Sequence, residues 1–293
     1  MTVSFDLLAM QMLTGIALGA IYALLAIGLS LIFGMLTVVN FAHGAFFMVG
    51  AMLGVYFFTL TGNFWFSLLL VPLITGGIGL VTERFLVRPL YGRGIDYPLL
   101  LTFGLSYIMI EAMRVVFGVE GIPSSTPDLL RGSVDLGFGG FPLYRLFLIV
   151  VTGAIILGLW LFLEKTRFGL IIRAGSRDPE IVKILGVDVA KVWLIVFGIG
   201  TAIAGLSGIL ASPTRSVNPE MGVAILAESF VVTVVGGMGS HMGAVVAGLL
   251  VGVVYSLTSL FAPALAELSI FVLMAVVLLF RPQGFFGKAG LMS

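Results

Sequence analysis

Two apolar runs, LFLIVVTGAIILGLWLFL (146–163) and VWLIVFGIGTAIAGLSGILAS (192–212), bracket the polar stretch KTRFGLIIRAGSRDPEIVKILGVDVAK (165–191). This alternation decides the fold. Each flank is close to the roughly 20 apolar residues that an α-helix needs to cross a bilayer. The stretch between them carries six of the chain's 15 Lys and Arg: Lys165, Arg167, Arg173, Arg177, Lys183 and Lys191. Of the 293 residues, 60% are hydrophobic and 10% charged. Soluble domains carry about 25% charged residues, so the solvent of this chain is largely lipid.

Working outward, runs of the same kind occur at 12–33, 41–60, 64–82, 97–113, 242–262 and 264–280. Residues 222–237 form a shorter run interrupted by Glu228. About 16 residues rise only about 24 Å, enough for a tilted short span or part of a broken helix. The expectation is an all-α, polytopic transmembrane helix bundle of eight segments, nine if 222–237 crosses, built as a single domain over 1–293. The first run has no Lys/Arg-rich leader and reads as a span that is retained.

Basic residues orient membrane proteins toward the cytoplasm. Arg84, Arg88 and Arg93 follow the third run, the 165–191 stretch follows the fifth, and Arg281 and Lys288 follow the last. All three regions are expected on the cytoplasmic side, with 118–144 outside. Three full spans before Arg84 put the N-terminus outside; a broken second span reverses that. The net charge is +1, which gives no field for nucleic acid. There is no cysteine and no GxxxxGK[ST] phosphate loop, so thiol chemistry is excluded and ATP, if used, binds another chain.

Within the polar stretch, Asp178 is a natural N-cap, Pro179 suits the first helical position, and Glu180 suits the positive end of the helix dipole. Ile181, Ile184 and Leu185 then share one face, and Gly186 is a natural stop. Such a helix either seats its apolar face in a groove on a cytoplasmic partner or lies on lipid headgroups. Thr37-Val38-Val39-Asn40-Phe41-Ala42-His43-Gly44 places an amide and an imidazole in apolar surroundings. It reads either as a break lining a path, with Asn40 and His43 facing it, or as a short polar turn. Neither His43 nor any neighbour supplies a metal-ligand set. Glu228, whose central carboxylate costs about 2.5–3.5 kcal/mol to insert, either gates the path or ties helices together. Glu111 and Arg114 are placed to pair. Residues 236–241 read as a tight turn, and the small faces around Gly15/Gly19 and Gly243/Gly248 as helix packing.

The run Gly19 to Gly34 (GAIYALLAIGLSLIFG), with Val39-Asn40-Phe41-Ala42-His43-Gly44, resembles the permeases of branched-chain amino acid ABC transporters, the shorter of their two permease subunits. Arg167-Phe168-Gly169 to Gly186, Gly205-Leu206-Ser207-Gly208 and Gly236-Gly237-Met238-Gly239-Ser240 fit the same family. The resemblance implies a second permease subunit, two cytoplasmic ATPase subunits that hold the ATP, and an extracytoplasmic solute-binding protein. It implies that Asp178 to Gly186 is a cytoplasmic coupling helix seated on an ATPase. Many relatives read Arg-Ala-x-Ala-x-(Asp/Glu) where this chain reads Arg173-Ala174-Gly175-Ser176-Arg177-Asp178, a departure that bears on the choice of ATPase. The family includes urea permeases and importers of other small amides and amino acids. An ion-coupled secondary transporter, with Glu228 as the ionisable group, and an intramembrane enzyme are the rival classes.

Overall fold

The computed structural model describes residues 4–36 and 39–287. Thr37, Val38 and Lys288 lie outside the described residues. The helices are α1 (Phe5–Leu36), α2 (His43–Thr61), α3 (Phe64–Thr82), α4 (Asp96–Phe117), α5 (Leu143–Lys165), α6 (Arg167–Gly175), α7 (Pro179–Ile184), α8 (Val189–Ala211), α9 (Met221–Gly236), α10 (His241–Phe261) and α11 (Ala266–Phe280). Among the described residues, eight helices are long and apolar enough to cross a membrane, and α9 is shorter, at 16 residues. The chain is a multi-pass membrane protein. Each apolar run of the sequence became a helix, most within four residues of the expected ends, but α1 starts seven residues before 12 and the third span runs eight residues past 82.

Local chemistry sets several ends. Asn63 accepts from the Trp65 and Phe66 amides and starts α3, after Gly62 closes α2 at φ 66°. Beyond Thr82 the third span continues to Leu90 through one wide turn, in which the Arg88 amide reaches back to the Glu83 carbonyl. Pro89 then ends it. Hydroxyls inside the spans bond the preceding turn: Thr75 to the Val71 carbonyl (3.0 Å), Thr201 to Phe197 (3.0 Å) and Ser207 to Ile203 (2.8 Å). Lipid offers these groups no alternative partner.

The chain divides into two compact units, one of residues 28–124 and 156–226, the other of 1–27, 125–155 and 227–293. In the first, α8 packs against both α2 and α3 through glycines. A methyl added to Gly76 would stand 3.2 Å from the Ala202 Cβ, and one on Gly50 would fall into the Gly205 backbone. Close backbone approach replaces the hydrophobic drive that lipid cannot supply between helices. In the second unit, Gly15 and Gly19 of α1 press on Val253 and Gly248 of α10. The small faces seen in the sequence are thus internal packing faces. Gln11 and Ser256 exchange hydrogen bonds across the same seam (2.6 and 2.8 Å). A short hairpin, β1 (Ser133–Asp135) with β2 (Gly140–Pro142), precedes α5. The carbonyls of Val235 and Gly236 at the end of α9 accept from the Phe285 and Phe286 amides (2.9 and 3.0 Å).

Candidate translocation path and coupling face

The basic residues after the third span and those of the 165–191 stretch meet at one end of the larger unit. There the ends of α1, α3 and α5 close over α6 and the start of α8 in an apolar cluster that includes Leu36, Val87, Leu163, Ile172 and Val192. Glu83 is fully buried beside it. Arg88 donates to both Glu83 carboxylate oxygens (3.2 and 2.9 Å), and the Tyr91 hydroxyl donates to Oε1 (2.9 Å). The same guanidinium donates to the Ala190 carbonyl in the first turn of α8 (2.9 Å). Burial, together with the Glu83 carboxylate, pushes the Tyr91 phenol well above its ordinary range, so it remains a donor. Sequence reasoning took Arg88 as an orientation signal and missed Glu83; its only sequence signal is a carboxylate five residues before an arginine at the end of a span.

α6 and α7 sit against this brace. Thr166 caps α6 by accepting from the Gly169 amide (3.0 Å), and Arg173 pairs with Glu164 (3.0 Å). Asp178 caps α7, its Oδ1 accepting from the Glu180 and Ile181 amides (both 3.0 Å). Pro179 takes the first helical position, and Gly186, at φ 84°, lets the chain reverse. Asp188 then caps α8, and its carboxyl is held below the ordinary range by the Lys191 backbone amide and, beyond it, the Lys191 ammonium. The helix is held by Val182, which is 4% exposed, whereas Ile181, Ile184 and Leu185 are 56, 82 and 76% exposed. The apolar face read from the sequence therefore points outward, and the inward residue is one that the pattern did not single out.

A second arrangement lies within the spans. The Phe41 amide donates to Thr102 Oγ1 (3.1 Å) in the second turn of α4. The His43 ring lies over Gly28 of α1, where an added methyl would stand 3.2 Å from Cε1. Both contacts put the start of α2 about 9–12 Å inside the helices it follows and faces. α2 thus begins level with the interior of α1 and α4 rather than beyond their ends. Asn40 and His43 are both fully buried there. Asn40 Oδ1 accepts from the Ala42 amide (3.1 Å), while Nδ2 has no partner among the described residues.

α9 also starts inside. The Ile122 amide donates to the Val217 carbonyl (2.8 Å), and Arg114 bridges Glu111 and Glu220, a wider network than the expected pair. Just beyond Glu220, Gly222 packs on Gly44, so that a methyl on Gly222 would stand 2.9 Å from the Gly44 carbonyl oxygen. The first turns of α2 and α9 therefore meet through two glycines. Glu228 lies further along α9, in the other compact unit, and is partly buried. Among the described residues, no three His, Asp or Glu side chains gather as a metal site.

Eight apolar spans, two helices that begin inside the span and one amphipathic helix carried on a braced polar end define a membrane transport protein rather than a receptor stalk or an anchor. The family described as "Branched-chain amino acid transport system / permease component" matches residues 11–280, and the chain belongs to that family. It is 30% identical to the high-affinity branched-chain amino acid transport system permease protein BraD of Pseudomonas aeruginosa, over 95% of each chain. It is 28% identical to the permease protein LivH of Escherichia coli K12, again over 95% of each. A solved structure, PsaBC from Streptococcus pneumoniae in complex with Fab, shares the fold with a TM-score of 0.53 at 14% identity, covering 91% of this chain and 89% of that one.

Proposed function

We propose that this chain is a permease subunit of an ABC importer for branched-chain amino acids in a bacterial or archaeal cytoplasmic membrane. It forms half of a translocation path with a second permease subunit. Two cytoplasmic ATPase subunits hold the ATP and drive it, and an extracytoplasmic solute-binding protein supplies the cargo. This chain carries out no covalent chemistry. Ligand binding and hydrolysis elsewhere shift it between states open to either side.

The observation that carries this reading is the outward apolar face of α7. Three large aliphatic side chains stand exposed on a capped helix that leads through Gly186 and Asp188 into α8. A face of that kind on the basic side of a membrane protein suits a groove on a cytoplasmic partner. The family membership and the name of BraD support the cargo. With the basic end inward, α1 to α3 make three passes, and the path from Ser212 through α9 makes another, which puts the start of α1 outside and the end of α11 inside.

The test is ATP hydrolysis by the complete complex in proteoliposomes, stimulated by leucine-loaded binding protein. Replacing Ile181 and Ile184 by Asp is expected to abolish stimulation and leucine uptake, leaving the ATPase subunits active by themselves. Stimulation unchanged from wild type rejects α7 as the coupling element. Leucine accumulation by this chain alone, driven by an ion gradient without ATP, rejects the importer class.

A further inference from the structure

We propose that the meeting point of the α2 and α9 first turns, together with the Asn40 carboxamide, is a carboxylate-binding station on the route of the cargo. The inference rests on the amino-acid reading above and gives that route a specific chemical contact.

Three observations converge. First, both helices begin inside the span, α2 beside Thr102 and Gly28, and α9 against Gly44. Helix starts carry amides with no partner in the preceding turn and the positive end of the dipole. Two of them facing one spot is a fixed positive potential without a cationic side chain. Discontinuous membrane helices are the setting in which such ends meet anionic groups. Second, glycine occupies both sides of the contact. A methyl on Gly44 would run into the Gly222 carbonyl and stand 2.7 Å from Leu226 Cβ, so the two starts are in backbone contact in this state. A small anionic group can enter only by parting them, with backbone rather than side chains lining its way. Third, Asn40 is fully buried, and its Nδ2 donor is unused among the described residues. Its Oδ1 is committed to the Ala42 amide, which fixes which end of the carboxamide is the donor. A buried donor left without a partner costs about 1–3 kcal/mol, so its retention at this point calls for an intermittent acceptor.

Charge decides the sign of that acceptor. The nearest carboxylate along the chain, Glu220, is engaged by Arg114. A carboxylate therefore meets helix starts and an amide N–H, all of which favour it. The acceptors on hand for an ammonium group are the Gly44 and Gly222 carbonyls at the contact, so the carboxylate reading rests on the Asn40 N–H and the positive helix ends. The station would hold the cargo by its carboxylate and leave the aliphatic side chain to the apolar walls.

The experiment uses the complete complex in proteoliposomes, with leucine-loaded binding protein at saturation, so that selectivity before entry is fixed. Asn40→Asp keeps the oxygen that accepts from the Ala42 amide and replaces the N–H donor by a second oxygen. A purely structural Asn40 predicts that the buried charge lowers assembly and melting temperature, with uptake falling only in proportion. The proposal predicts leucine uptake lowered by about tenfold or more while assembly and basal ATP hydrolysis are kept, because a donor becomes a like charge. Asn40→Ser, which keeps an accepting oxygen and shortens the donor, is expected to fall between. Uptake by Asn40→Asp at the wild-type level, or lowered only in proportion to assembly, overturns the station. If Asn40→Asp fails to assemble, wild-type uptake by Asn40→Ser overturns it. If the wild-type complex moves no leucine at all but carries a neutral amide, the amino-acid reading fails first and the station falls with it.

Discussion

Glu83 is the residue on which the polar end turns. A fully buried carboxylate is tolerated because Arg88 and Tyr91 take its lone pairs, and Arg88 spends a further donor on the Ala190 carbonyl. Removing one partner of such a pair leaves the other charge stranded and costs roughly 3–5 kcal/mol; the partly open Arg88 argues for the lower end. Glu83→Ala is expected to lower the melting temperature of the purified protein by several degrees. Replacing Glu83 and Arg88 together by Met should recover most of it, as read in a double-mutant cycle. Asp188 is the milder case. Its carboxyl is depressed, so its cap is in place above the ordinary carboxylate range and is lost only as pH falls through the depressed value. Between neutral pH and about pH 5 the stability difference between wild type and Asp188→Asn should therefore stay constant, and shrink only at lower pH as the carboxyl protonates. Asn40 and His43 stood out in the sequence as an amide and an imidazole in apolar surroundings, and both side chains are fully buried. Glu83 did not, because a carboxylate among arginines looks like solvated charge, and the Ala190 carbonyl that takes a further donor of its partner Arg88 lies far along the chain.

At the scale of elements, hydropathy revealed every helix that lipid demands, because a run of about 20 apolar residues has few other uses. It did not reveal the extension of the third span to Leu90, since Arg84 and Arg88 interrupt the apolar pattern there while one side of the helix stays buried against Glu83 and Val87. Nor did it reveal that α2 and α9 meet by their starts, because no periodicity links Gly44 to Gly222. Gly222→Ala tests that contact: the added methyl stands 2.9 Å from the Gly44 carbonyl oxygen and 3.1 Å from Met48 Cβ. The expected result is a complex that assembles with reduced uptake, since the two starts can no longer close, while the same change at Gly77, where a methyl meets nothing within 4 Å, should be silent. For α7, the pattern gave the cap, the stop and the outward face but not Val182, the residue that holds the helix down. Asp178→Ala removes the cap and is expected to cost about 1 kcal/mol of helix stability. The consequence should be weaker coupling of ATP hydrolysis to uptake than in wild type, and a smaller defect than the Ile181 and Ile184 replacements produce.

For the whole molecule, the number of passes follows from which side each end of the chain occupies, and the cysteine-free sequence makes that measurable. The charge pattern of the sequence assigns Arg93 and Arg281 to the cytoplasmic side and Leu129, which is exposed, to the loop 118–144 outside. A single cysteine at Leu129 should react with a membrane-impermeant maleimide in intact cells, and cysteines at Arg93 or Arg281 only after permeabilisation. The informative position is Phe5 at the start of α1. If the chain beyond Asn40 completes a crossing through α2, and α9 completes the one begun after Ser212, the passes are odd in number and Phe5→Cys is labelled from outside. If α2 returns to the side it came from, Phe5→Cys is protected like Arg93→Cys; if α9 does, Arg281→Cys is instead labelled from outside. Protection of Phe5→Cys would remove the argument that both helix starts lie on a through-route, because one of them would then cap a re-entrant loop open to a single side. Labelling of Phe5→Cys from outside, with Arg281→Cys protected, leaves α2 and α9 as two halves of crossings that begin at a shared depth, the geometry in which parting one glycine contact opens a way from one side to the other.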